Sequence, residues 1–411
     1  MKSEISLIRC KTYEPNGLLN KVKEAIEFIG GIEKFVKPGS KVLLKPNLLM
    51  AANPESAITT HPEFARAVIK ILKSIGCKIY LGDGPSVFGS QMENIIKVYE
   101  QTGIQKMAEE EAVELVTFDK RFIPSLPTPG NNSTAEEAEF TSLEVAGKSG
   151  SSKRLITGRI PASPADRQGY FPLTILVKEC DHIISLPKFK THEFMILTGA
   201  VKNLFGLIPG TFKLECHKNF HRPENFAKVL IDIYQAVQPS LTIVDGISGM
   251  EGNGPATSGT KRDFGLILAG QDAIAIDSVL ARIMNTRPDF IYTIKEARRR
   301  GIGNTDLNNI EIKGEDLSSC VFKDFKLPET SLKQSIIQNL PEPIANILKK
   351  LLTFYPRIDS DVCRLCEACV KNCPQKTMTD KDGKIVIDYS QCISCFCCRE
   401  VCPYAAIGIK K

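Results

Sequence analysis

The sequence predicts an α/β fold: a large domain on a mainly parallel sheet, then a small α+β domain organised around metal. Two observations carry this expectation. Short apolar runs alternate with helix-period segments through most of the 411 residues, the pattern of strands covered by helices on both faces of a sheet. Nine of the 14 cysteines then crowd into residues 363–402. A chain of this length accommodates more than one domain.

Residues 42–44 read as a buried strand leaving into Lys45-Pro46-Asn47. Residues 62–75 read as a helix, with Thr60 as N-cap and Gly76 as its stop. Residues 78–81 form the next strand, leaving into Gly82-Asp83-Gly84-Pro85. Residues 182–186 leave into Pro187-Lys188-Phe189-Lys190-Thr191-His192, and residues 241–244 into Asp245-Gly246. Residues 264–268 leave into Ala269-Gly270, and a helix follows over 272–284. Polar residues thus recur just beyond strands, the edge where open α/β sheets bind ligands. Residues 124–153 read as an exposed insertion, rich in Pro, Gly, Ser, Thr and Glu. The large domain spans 1–324, with its core over 40–290. Residues 325–357, with four prolines around an amphipathic helix at 344–352, form a linker to a cluster domain at 358–411.

The cysteines repeat. Cys363, Cys366, Cys369 and Cys373 precede Pro374; Cys392, Cys395, Cys398 and Cys402 precede Pro403. Each run reads C-x2-C-x2-C-x3-C-P, the spacing of bacterial two-[4Fe–4S] ferredoxins, where the fourth cysteine ligates the other cluster. The expected sets are Cys363, Cys366, Cys369 with Cys402, and Cys392, Cys395, Cys398 with Cys373. Zinc sites instead pair two C-x2-C units across a longer loop. The opening segment MKSEISLIRC lacks the apolar core of a signal peptide. A cytoplasmic location, where thiolates stay reduced, is therefore expected. Cys397 lies outside the repeat and reads as a packing thiol.

Charge excludes some partners. Lys and Arg total 53 against 47 Asp and Glu, a net +6, without the basic blocks of a nucleic-acid binder. No apolar run is long enough for a transmembrane segment.

Candidate site residues gather beyond the strands. Lys188, Lys190 and Lys202 are cations suited to a carboxylate or phosphate, and His192 could move protons. His192 and Lys202 are the candidate catalytic pair. Lys45, Asn47 and Asn203 are candidates for positioning a ligand, as are Asp245, Glu251 and Asn253 in the glycine-rich stretch 246–254. Cys216, His217 and His221 leave room for a further metal.

Several motifs together resemble the DUF362 family of iron–sulfur-centre proteins: VLLKPNLL at 42–49, TTHP at 59–62, LGDGP at 81–85, LPKFKTH at 186–192, GAVKNLFGLIPG at 199–210 and VDGISGMEGNGP at 244–255. The resemblance implies a C-terminal ferredoxin domain but no reaction. The stretch from Asp181 to Gly210 is also distantly similar to lactate-racemase-type proteins, with His192 and Lys202 ten residues apart as in that group. A histidine of that group is replaced by Asp83-Gly84-Pro85 here. The similarity implies a shared fold.

The expected function is an iron–sulfur electron-transfer protein acting as a reductase, passing electrons from two [4Fe–4S] clusters to an acidic small molecule in the α/β domain. A redox protein is its expected donor or acceptor. Two alternatives stand beside it: a ferredoxin-like carrier or subunit without substrate chemistry, and a racemase- or lyase-like enzyme with nickel or a nucleotide as an additional small cofactor.

Overall fold

The computed structural model describes residues 2–85, 92–118, 173–331 and 354–410. The expected insertion at 124–153 and the amphipathic segment at 344–352 lie outside them.

Ten strands form the main sheet: β1 (Ser3–Arg9), β2 (Lys41–Pro46), β3 (Lys78–Leu81), β4 (Glu114–Leu115), β5 (His182–Leu186), β6 (Lys188–His192), β7 (Ile196–Thr198), β8 (Leu241–Gly252), β9 (Gly259–Gly270) and β10 (Ile310–Gly314). Their order is β10-β1-β9-β8-β5-β2-β3-β4, with β6 added beside β8 and β7 beside β6. Pairing is parallel except at β9, which runs antiparallel to β1 and β8, and between β6 and β7. The mostly parallel sheet agrees with the sequence reading.

Alternation along the strands divides the core in two. Leu43, Ile183, Val244 and Leu268 face one side; Val42, Leu44, Ile184, Ile243 and Ile267 face the other. Helices Pro223–Val237 and Ala273–Ile283 cover the first face, and Pro15–Glu27 and Pro62–Ser74 the second. Side chains that alternate and are buried on both faces make near-continuous apolar strands, hence the legibility of these runs.

Local details differ from the sequence reading. The helix at Pro62 is capped by His61, whose Nδ1 accepts the Glu63 N–H at 3.2 Å, rather than by Thr60. Thr60 instead donates its hydroxyl to the Leu186 carbonyl. The segment read as an exit loop after Leu186 is a strand, β6. The glycine-rich stretch is also mostly strand, because β8 runs to Gly252 and pairs with β9. Its glycines serve close packing: a Cβ on Gly249 would lie 2.1 Å from the Phe189 carbonyl oxygen.

At the C-terminus, β11 (Tyr355–Ile358) pairs with β14 (Ile407–Lys410), and β12 (Met378–Lys381) with β13 (Lys384–Ile387). The short helices Ala368–Lys371 and Cys397–Glu400 complete the unit. Its core is a small set around Met378, Ile385, Ile387 and Ile407, interleaved with cysteines. So few apolar side chains need metal to hold a fold together.

Candidate functional site

A crevice opens beyond the carboxyl ends of β2, β3 and β5. Its floor is a rigid polar lattice. The Lys45 ammonium lies 2.7 Å from Asp83 Oδ1 and donates to Asn203 Oδ1 at 3.2 Å. Asp83 Oδ2 accepts the Leu48 N–H at 2.7 Å. The Asn203 amide ties the strand ends together, accepting from Asn47 Nδ2 at 3.1 Å and donating to Ser185 Oγ at 2.9 Å. Gly206 lets this lattice close, since a Cβ there would sit 2.1 Å from Asp83 Oδ1. Burial lowers the Lys45 pKa, and the Asp83 carboxylate opposes that shift.

Three more lysines line the crevice: Lys190, Lys202 and Lys213. Lys190 donates to the Ile58 carbonyl, and Lys213 to those of Gly84 and Pro85. The half-buried Lys202 has no hydrogen-bond or ion-pair partner among the described residues. Helix Ala200–Asn203 carries it, and Asp277 fixes that helix by accepting the N–H groups of Ala200 and Val201. Burial lowers the pKa of Lys190 and Lys202, and Lys202 lowers Lys190 further.

The fourth side of the crevice comes from the cysteine-rich unit. Glu400 lines it, and its Oε1 lies 3.2 Å from His192 Nε2. Burial alone would raise the Glu400 pKa, but His192 and Lys202 outweigh it and hold the carboxyl well below its usual range. His192 is buried, and burial with the charge of Lys202 pushes its pKa down to about 4. Its Nδ1 accepts the N–H groups of Phe194 and Met195, which leaves the ring proton on Nε2, facing Glu400. The contact is reinforced nearby. Arg399 pairs with Glu193, and the Thr257 hydroxyl donates to the Cys402 carbonyl at 2.7 Å.

The crevice thus unites Asn47, Lys190, Lys202 and Asn203, with Lys45 beneath and His192 beside Glu400. Its buried and half-buried groups are four ammonium groups against two carboxylates, a net pull on anions. Other candidates from the sequence do not line it. Lys188 is paired at 2.8 Å with Asp245, which also accepts from the Tyr13 hydroxyl at 2.7 Å and the His61 N–H at 3.0 Å. The register of β6 on β8 shifts between Lys188 and Lys190, which separates the fates of the two lysines. Glu251 and Asn253 fasten the strap at residues 326–329: Glu251 accepts the Lys326 N–H and pairs with Arg262, and Asn253 bonds Glu329.

The sequence reading missed Lys213 and Glu400 as crevice residues. A signal for Glu400 existed in the repeat. Arg399-Glu400 stand where the first run has Val370-Lys371, and both are buried, whereas the Lys371 side chain is 69% exposed.

The cysteines surround two hollows. One is lined by Cys363, Cys366, Cys369 and Cys402, the other by Cys373, Cys392, Cys395 and Cys398. Each quartet mixes three cysteines of one run with the fourth of the other, and thiolates are the donors an iron–sulfur cluster takes. Among the described residues no three His, Cys, Asp or Glu side chains converge as a single metal ion requires. His217, a candidate metal ligand in the sequence, stacks on Phe226 at 4.7 Å between ring centres. Burial drives its pKa down to about 3.

Comparison with known proteins accounts for both parts of the chain. Residues 42–147 and 155–282 match a family described as a domain of unknown function, DUF362. Residues 355–403 match a 4Fe-4S dicluster domain. A thylakoid-associated protein of Synechocystis is 31% identical over 330 residues, covering 80% of this chain and 89% of that protein. Over the C-terminal region, pyruvate synthase subunit PorD of Methanocaldococcus jannaschii is 39% identical over 56 residues, 13% of this chain and 65% of that one. A selenate reductase subunit of Mesobacillus selenatarsenatis is 35% identical over 91 residues, 21% of this chain and 28% of that one. No solved structure matches. These matches do not show the resemblance to lactate-racemase-type proteins. The C-terminal unit is a ferredoxin-like electron-transfer domain with iron–sulfur clusters as its cofactors. No described helix is long and apolar enough to cross a membrane.

Proposed function

The chain belongs to the DUF362 family, and on that premise we propose that it is a reductase for an acidic small molecule bound in the crevice. The observation that carries the reading is the place of Glu400. It lies two residues after Cys398, which lines the second hollow, and it forms the crevice wall against His192. Two residues span at most about 7 Å of chain, so the cluster domain and the crevice share one wall.

The cysteine quartets around the two hollows are the proposed ligand sets. When bound, [4Fe–4S] clusters supply electrons one at a time. The remaining tasks fall to side chains. Lys202 and Lys190 hold the carboxylate or phosphate of the acceptor. Asn47 and Asn203 are locked by the floor lattice and orient it. His192 keeps a proton on Nε2 at the junction of crevice and cluster domain. Proteins similar to parts of this chain are named as subunits of pyruvate synthase and of selenate reductase, and the second name supports the reductase reading. Those same names describe subunits, and so also favour a second reading: an electron-transferring subunit without substrate chemistry of its own.

The test uses cluster-loaded protein reduced with dithionite and freed of excess reductant. Small carboxylates and phosphate esters are added one by one, and cluster reoxidation is followed by visible absorbance. At least one acceptor should reoxidise the wild type, and Lys202→Ala should be at least about tenfold slower at equal iron content, the loss of one charged contact. Equal rates for both proteins with every acceptor would leave the subunit reading in its place.

A further inference from the structure

The two cysteine runs are offset by 29 residues, so each position around one hollow has a counterpart around the other. The backbone follows this symmetry. Leu365 and Ser394 both hold positive φ, at 52° and 55°, as do Glu367 and Phe396, and Lys376 and Ala405. Tyr404 lines the first hollow as its counterpart Gln375 lines the second.

The side chains break the symmetry in one direction. Val362 and Leu365 are chain neighbours of the first hollow's lining residues Cys363, Arg364 and Cys366, and Tyr404 lines it; the three are exposed by 39%, 41% and 47%. Their counterparts are Gln391, Ser394 and Gln375, all polar. The described residues contain only two other exposed large apolar side chains, Phe28 and Val386. Cys366 of the first hollow is exposed, whereas its counterpart Cys395 in the second is buried. The second run instead faces inward, through Arg399 to Glu193 and Glu400 to His192. Apolar side chains grouped in solvent mark an interaction surface, and Leu365 additionally occupies a left-handed backbone conformation unusual for a leucine.

We propose that Val362, Leu365 and Tyr404 form the docking surface for a small one-electron carrier protein, which meets the chain at the first quartet. The exposed Cys366 within the patch argues for this occupant, because only a redox partner gains from contact with a metal-ligating thiol. The transfer is one electron without a proton: the carrier is oxidised by one electron, and the cluster at the first quartet is reduced by one. The neighbouring charges are of both signs, Asp361, Arg364 and Glu367 among them. Docking therefore rests on apolar contact rather than long-range steering, and its rate should depend weakly on salt.

The test gives each residue its counterpart's side chain: Val362→Gln, Leu365→Ser and Tyr404→Gln together, with Leu365→Ser alone in case the triple variant loads clusters poorly. The probes are a reduced bacterial two-[4Fe–4S] ferredoxin and a reduced flavodoxin, with no acceptor present, so the outcome is independent of crevice chemistry. Carrier affinity is measured by calorimetry and cluster reduction by stopped flow. The expected result is at least tenfold weaker binding and slower reduction by the carrier, with unchanged iron content and unchanged reduction by dithionite. Three results would overturn the proposal: equal binding and reduction in wild type and variants, a wild-type dimer that the variants abolish, or binding to anionic phospholipid vesicles that the variants abolish.

Discussion

Glu400 Oε1 lies 3.2 Å from His192 Nε2, and the two residues belong to different structural units, the cluster domain and the main sheet. The carboxylate balances Lys202 and Lys190 as well. Glu400→Gln removes that balancing charge from the buried Lys190 and the half-buried Lys202. A loss of roughly 3 kcal/mol is expected, in the range found on breaking buried ion pairs. A lower denaturation midpoint of the cluster-loaded protein would show it, and an unchanged midpoint would remove Glu400 from the interface energetics.

The two buried histidines His192 and His217 should each subtract stability in acid, while Glu193 and Asp277, whose carboxyls burial pushes up to about 8 and about 7, act in the opposite sense. An unfolded chain protonates its histidines near 6.5, but in the fold His192 does so only at about 4 and His217 at about 3. Between those values the unfolded state holds more protons, so stability rises with pH. The contribution is complete above about 6.5 and is lost as pH falls through the folded values. Each ring adds a slope of about 1.4 kcal/mol per pH unit across its window. Denaturant midpoints of wild type and His217→Gln between pH 5 and 7 isolate one ring: the variant should gain less stability per pH unit than the wild type, and parallel curves would contradict the buried neutral ring.

Two neighbouring lysines should behave oppositely. Lys45 is fully buried against Asp83, so Lys45→Ala strands a carboxylate and should cost roughly 3–5 kcal/mol. Lys202 lacks a direct partner among the described residues. Lys202→Ala should leave the melting temperature within a few degrees and weaken binding of inorganic phosphate. Calorimetry on both variants separates the two roles.

The crossed cysteine quartets predict which cluster each fourth cysteine serves. Cys402→Ser should perturb the cluster at Cys363, Cys366 and Cys369, and Cys373→Ser the one at Cys392, Cys395 and Cys398. Electron paramagnetic resonance of the two reduced variants should show different remaining signals. Identical spectra would contradict the crossing.

Gly249→Ala should destabilise the sheet by about 1–3 kcal/mol. The new methyl would press on the Phe189 carbonyl and on the Phe264 ring, 2.7 Å away. Thermal melts would detect this, because the clash is with strand backbone that cannot step aside.

Much of the fold was legible because the parallel strands are apolar on both faces. Residues 78–81 and 182–186 coincide with β3 and β5. What escaped was length. Polar residues and glycines past Val244 and Leu186 suggest loops, yet β8 and β6 continue, since pairing satisfies their backbone where side chains cannot signal it. The site was partly legible for the same reason. Lys202 and Asn203 follow a strand, Lys190 lies within one, and all three line the crevice. Lys188, two residues from Lys190, turns to Asp245 because a register shift lies between them. Glu400 was hidden by its position among cysteines, where the metal motif accounts for every neighbour. Only a position-by-position comparison of the two runs exposes it.

The β8–β9 hairpin has a mechanical consequence. It is rooted in the centre of the sheet, spans twelve residues in each arm, or roughly 40 Å, and carries at its tip Thr257, bonded to the Cys402 carbonyl. It is a bracket rather than a free arm, because its tip is tied back to the sheet and the strap: the Gly254 carbonyl accepts the Glu193 N–H, the Lys326 carbonyl accepts the Gly252 N–H, and Asn253 bonds Glu329. The tip and the cluster domain should therefore loosen together, and hydrogen exchange at residues 253–258 should quicken in step with loss of the cluster domain's contacts.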